Sequence, residues 1–140
     1  MKANIDRIKA NKKVIIYPEL SYELMALLFK VHNTMGKNFQ EKYYQRAVEI
    51  ELKKQGIPYE REKLVRLYYE KENIGRYYID FVVSNKIALE IKAADYFKRE
   101  FTAQVLAYLS SAQLKLGIIV NFNSQTLLYK RYVNPLIRDN

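Results

Sequence analysis

Two neighbouring stretches decide how this chain folds: Tyr77-Tyr78-Ile79-Asp80-Phe81-Val82-Val83 and, beyond Ser84-Asn85-Lys86, Ile87-Ala88-Leu89-Glu90-Ile91-Lys92. Both are rich in β-branched and aromatic residues, and the short polar turn between them predicts antiparallel neighbours. Alternation along the second puts Leu89 and Ile91 on one face of the strand and Glu90 and Lys92 on the other. Asp80 stands amid Ile79, Phe81 and Val82, and the tight turn lets it approach Glu90. Charges on such apolar strands pair or bind metal, because burying one alone is costly. Two converging carboxylates suit a hard divalent cation that keeps positions for water and a phosphate oxygen. Such an ion polarises a phosphate and acidifies its bound water, and a lysine beside it can steady the growing charge. A plainer reading stays open on the residues alone, in which Glu90 and Lys92 form an ion pair on an exposed side of the sheet.

Outward from this centre, the period of the pattern assigns the remaining elements. Leu24, Leu27, Leu28, Val31 and Met35 recur at helical spacing, predicting a helix from near Ser21 that Gly36 ends. A second helix is expected from Asn38 to about Gln55, with Tyr44, Ala47, Val48 and Leu52 inward and Gly56-Ile57-Pro58 as its stop. Residues 59–70 read as a polar-rich strand, 71–75 as a turn, 76–83 and 87–93 as the next two strands. A third helix is expected at about 97–112, with Phe101, Val105, Leu106 and Leu109 as core candidates. Strands at 115–121 and 126–133 close the order. Short turns make the first three strands a meander, and the third helix is a crossover bringing another strand alongside.

The chain has 140 residues, the size of one domain. We expect a basic N-terminal arm at 1–13, holding Lys2, Arg7, Lys9, Lys12 and Lys13, and a single domain at 14–140. With no cysteine, disulfides and thiolate metal sites are excluded. The longest apolar run, 24–29, is too short to span a bilayer, and the N-terminus lacks the apolar core of a signal peptide. A soluble, cytoplasmic protein is the expectation. The formal net charge of +9 favours a polyanionic partner, although a basic surface also serves solubility. His32 has no second histidine or cysteine to complete a zinc site. Of the 13 tyrosines, Tyr43, Tyr44, Tyr68, Tyr69, Tyr77 and Tyr78 read as half-buried packing with hydroxyls reaching water.

The order Asp80, Glu90, Lys92 resembles the signature of the PD-(D/E)XK nuclease superfamily, with Ile79 in place of its proline. Gln104-Val105-Leu106-Ala107-Tyr108 resembles the Gln-x-x-x-Tyr motif that follows the lysine in RecB-like members. Four apart, Gln104 and Tyr108 share a helix face, where they could also be a polar pair bridging helix to sheet. Upstream, Met35-Gly36-Lys37-Asn38-Phe39-Gln40-Glu41-Lys42-Tyr43-Tyr44-Gln45-Arg46-Ala47 resembles the segment that names the GxxExxY family of the same superfamily. The resemblance covers about residues 16–133, including the apolar strand from Leu116 to Phe122. It departs at Asn38, where the family has a glycine that asparagine can replace in left-handed backbone. It departs again at Phe101, where relatives carry histidine.

What the resemblance implies is a restriction-endonuclease-like α/β fold, a central mixed sheet flanked by helices. It implies a nuclease that hydrolyses phosphodiester bonds with Mg²⁺, or Mn²⁺, acting on DNA ahead of RNA; a homodimer is compatible with it. Asp80, Glu90 and the Ile91 carbonyl would be metal ligands. Lys92, Gln104, Glu41 and Tyr108 would complete the site. For Glu41 a second role stays open, because Asn38-x-x-Glu41 also reads as a capping box. Two other functions remain in view: a catalytically silent nucleic-acid-binding module that keeps the fold, and an assembly subunit whose charge is incidental.

Overall fold

The computed structural model describes residues 15–138, so the basic arm at 1–13 lies outside the described residues. The first helix, α1, spans Pro18–Met35. Proline at the first helical position lacks only an amide that has no intrahelical partner, so the helix starts three residues ahead of Ser21. The Ser21 hydroxyl donates to the Ile16 carbonyl (2.8 Å). Leu24, Leu27, Leu28 and Val31 form its buried stripe.

Helix α2 spans Glu41–Lys54, starting later than the sequence pattern suggests. Asn38 takes a left-handed conformation (φ 79°) and its N–H donates to Asn123 Oδ1 (3.0 Å), which holds it outside the helix. Gln40 caps α2 without a side-chain hydrogen bond. The expected Asn38–Glu41 capping box therefore does not form.

Strands β1 (Tyr59–Tyr69) and β2 (Glu72–Val83) make a hairpin. Its turn is Glu70-Lys71, both left-handed (φ 46° and 71°), and not the five-residue turn expected at 71–75. Two consecutive left-handed residues match the twist of paired strands, so pairing runs to Tyr69↔Glu72. Farther down, Glu62 (φ 47°) drops out of the ladder between Arg61↔Phe81 and Lys63↔Ile79. Strand β3 (Ile87–Lys92) completes the meander. Helix α3 (Arg99–Ala112) crosses over to β4 (Leu116–Asn121), which runs parallel to β3, and β5 (Leu128–Val133) returns antiparallel. The sheet order is β1-β2-β3-β4-β5, the mixed sheet expected.

Each face of the sheet is covered. Leu24, Leu28, Tyr44 and Leu52 from α1 and α2 pack on Phe81, Leu89, Ile91 and Val120. On the other face Val105, Tyr108 and Leu109 of α3 pack on Ile79, Val82, Ala88 and Ile119. Leu106, expected in the core, is 47% exposed. It follows Val105 by one residue, a turn of about 100° around the helix, and so faces away from the stripe. Gly117 sets the depth of α3 on β4: a Cβ there would meet Val105 Cγ1 at 2.6 Å and Leu109 Cδ2 at 3.2 Å. Among the described residues no helix is long and apolar enough to cross a membrane.

Candidate active site

The β2–β3 ladder is short. It pairs Val83 with Ile87, Val82 with Ala88 and Phe81 with Leu89, and ends there. At the next position the strands are joined through side chains. The Asp80 N–H donates to Glu90 Oε1 (3.1 Å), and the Ile91 N–H donates to Asp80 Oδ2 (2.8 Å). Both carboxylates are thereby fixed against a neighbouring backbone.

Their environment is dry. Glu90 is 2% exposed. Burial, and then the charge of Asp80, push the Glu90 carboxyl up to about 9. Burial also raises Asp80, against the lowering effect of the Ile91 amide. Like charges held together away from water resist double ionisation, a penalty that a divalent cation between them would relieve.

Lys92 lies two residues on from Glu90, with Nζ 4.0 Å from Glu90 Oε2. Its ammonium donates to Gln104 Oε1 on α3 (3.1 Å) and lies over the Phe101 ring (4.8 Å). The lysine is largely covered, so the alternative of an exposed surface ion pair does not describe it. Phe101 supplies an aromatic face to the ammonium.

Tyr108 borders the same centre. Its ring meets Tyr77 edge-on (5.0 Å between centroids), and Gln104 precedes it by about one turn of α3. Burial, then the charges of Glu90 and Asp80, push its ionisation upward, so it is a neutral phenol. Glu41, at the start of α2, approaches from the other side. Burial raises its carboxyl, while the charge of Lys92 and the Ala93 amide lower it, and Asp80 adds to the rise. The structure thus brings Asp80, Glu90, Lys92, Gln104 and Tyr108 to one place, with the Ile91 backbone between the acids, while Glu41 lies near enough to feel their charges without joining the two acids in one cluster. His32 lies apart, its Nε2 bonded to the Ser124 carbonyl (2.8 Å).

Two positioning residues escaped the sequence reading. Asn121, fully buried at the end of β4, accepts from the Ala94 N–H (3.0 Å) and donates to the Ala94 carbonyl (2.9 Å). It clasps the segment that follows Lys92. An asparagine ending an otherwise apolar strand was the available signal. Arg61 donates to Glu49 and Gln45 of α2 and to the Asp80 carbonyl (3.3 Å), and its guanidinium lies 4.5 Å from the Phe81 ring centre. It ties α2 to the strand that carries Asp80.

A five-stranded mixed sheet with helices on both faces, and an acid–acid–lysine group where its central strands part, is consistent with the PD-(D/E)XK nuclease fold. A sequence profile of the PD-(D/E)XK nuclease superfamily matches residues 18–132, and the chain belongs to that superfamily. No curated protein and no solved structure matches the chain. Nucleases of this superfamily generally use divalent metal ions.

Proposed function

We propose that the protein is a Mg²⁺-dependent nuclease, of the GxxExxY type within its superfamily, that hydrolyses phosphodiester bonds in DNA in the cytoplasm. The observation that carries this reading is the meeting of the Asp80 and Glu90 carboxyls at the parting of β2 and β3, with Lys92 beside them.

The donor set fits a divalent ion. Among the described residues no group of three or more acidic or histidine side chains is gathered to hold a metal. Mg²⁺ does not need one, since it is commonly held by one or two carboxylates with water and substrate phosphate filling the rest. Asp80 and Glu90 would hold it, with the Ile91 carbonyl as a further oxygen. Bound there, the ion would supply charge neutralisation at the scissile phosphate and a more acidic water.

The chain's own groups do the rest. Asp80 and Glu90 are kept from swinging away by the two backbone amides they accept from. Lys92 carries a charge that Gln104 aims, and it stabilises negative charge growing on the phosphate oxygens. Glu41 adds a further carboxyl whose charge interacts with that of Lys92 at the edge of the site. Tyr108 offers a hydroxyl that does not ionise. The apolar walls exclude competing water and strengthen these interactions.

Calorimetric titration of Mg²⁺ and Mn²⁺, run beside a cleavage assay, tests this reading. Lys92→Ala should lower cleavage by about 10²- to 10³-fold, the cost of removing one preorganised charge stabiliser, with the fold intact. Cleavage unaffected by that change would sink the site assignment. Oligonucleotide binding by the wild type with no cleavage under either metal would replace it with a binding module.

A further inference from the structure

Helix α3 shows two adjoining faces. Gln104 and Phe101 look toward Lys92, while Thr102, Ala103 and Leu106 look into a groove completed by Phe97, Lys98, Arg99 and Lys130. Three of these lining residues are cations, and among the described residues that line the groove none is acidic. Two of the cations rest on aromatic rings: Lys130 over Phe97 at 4.9 Å, and Lys98 near Tyr96 at 5.8 Å and near Phe101 at 6.0 Å. Phe101 is the same ring that Lys92 covers at 4.8 Å, and Phe97 meets it edge-on at 6.0 Å. The groove therefore adjoins the candidate active site, with the Phe101 ring between them.

We propose that this groove binds the unpaired part of a nucleic-acid substrate, so that the site acts on single strands or on duplexes with single-stranded ends. The proposal rests on the nuclease reading for its substrate class and deepens it. Three cations gathered without a carboxylate call for a polyanion. The floor calls for something more, because Phe97, Ala103 and the 47%-exposed Leu106 give it an apolar surface. A duplex turns phosphates and sugars outward and keeps its base faces stacked inside. An unpaired strand presents phosphates to Lys98, Arg99 and Lys130 and base faces to the apolar floor at once, the combination that single-strand grooves use. A simple phosphate ion would satisfy the charges and leave the floor unused. Tyr96, 65% exposed at the mouth, is a further ring on which a base can stack.

The test is fluorescence-anisotropy binding of labelled oligonucleotides in chelator, where no metal-dependent cleavage occurs. Wild type, Lys98→Gln/Lys130→Gln, and Lys53→Gln/Lys54→Gln would be compared, the last removing equal charge from the exposed end of α2. The wild type should prefer a single strand to the matching duplex. In the groove variant the salt slope of single-strand binding should fall by about 1.4, from two phosphate contacts at about 0.7 each. The α2 variant should keep the wild-type slope. Equal slopes in wild type and groove variant, equal losses in both variants, or equal binding of duplex and single strand would each overturn the proposal. None of these readings depends on cleavage. A protein that binds single strands through the groove yet never cuts would refute the nuclease reading while leaving the groove standing.

Discussion

At the turn end of β2 and β3, Val83 faces Ile87, Val82 faces Ala88 and Phe81 faces Leu89 in a plain antiparallel ladder. One residue farther along, Asp80 and Glu90 leave the ladder, and their carboxylates accept the amides that carbonyls would have taken. Both ends satisfy their backbone, by opposite means. The ladder end uses neutral carbonyls and buries methyl groups on both faces of the sheet. The open end puts charge where a carbonyl would be, so the acids are held in place at the cost of mutual repulsion. Stability is concentrated at one end of a strand pair and chemical capacity at the other, about two residues apart along β3.

Variants at each end can break or sharpen that contrast. The largest effect is expected at the ladder end, where Leu89 is fully buried. Leu89→Ala should cost about 2–5 kcal/mol in urea denaturation through the cavity it leaves. A cost under about 1 kcal/mol would remove the ladder end as the anchor. Next comes the support beneath the open end. Gly117→Ala would drive a methyl into Val105 and Leu109, costing about 1–3 kcal/mol as overpacking. By lifting α3 it should also loosen the Gln104–Lys92 hydrogen bond and slow cleavage, and full cleavage in a destabilised variant would uncouple the helix from the site. The smallest effect has the opposite sign. Asp80→Asn keeps an acceptor for the Ile91 amide and removes the charge facing Glu90. It should abolish cleavage yet stabilise the metal-free protein by about 0.5–2 kcal/mol, the usual size of a single stabilising substitution. Melting in chelator reads the sign, and a lowered melting temperature would mean that the acids do not oppose one another.

Much of this was legible in the sequence, for identifiable reasons. Asp80, Glu90 and Lys92 stand out because charges on apolar strands violate the pattern around them. The meander followed from the Ser84-Asn85-Lys86 turn, and the crossover from the helix at Gln104. The hairpin turn was misplaced because Glu70-Lys71 carries none of the glycine or asparagine that usually marks left-handed pairs. The start of α2 was misread because Asn38 looks like a cap, while a partner 85 residues away, Asn123, claims its amide. Arg61 was invisible for a similar reason. Within Glu60-Arg61-Glu62-Lys63 it reads as one charge among several on a solvated strand, and only the packing of α2 shows that it is half-buried against Phe81. Roles set by local pattern could be read, and roles set by distant partners could not.

The departure of Glu62 from the β1 ladder has a consequence for the company this protein keeps. β1 is an outermost strand of the sheet, and among the described residues nothing pairs with its far side. A long, regular open edge is a template for another chain, and in a sheet this rich in aromatic and branched residues it would invite runaway stacking. The left-handed residue breaks that edge after three residues, and the charges of Glu60, Arg61, Glu62 and Lys63 cluster at the break. An arriving strand meets a break in the row of amides and carbonyls there. The same irregularity that loosens β1 near the candidate site thus shortens the stretch of this edge that another chain could copy.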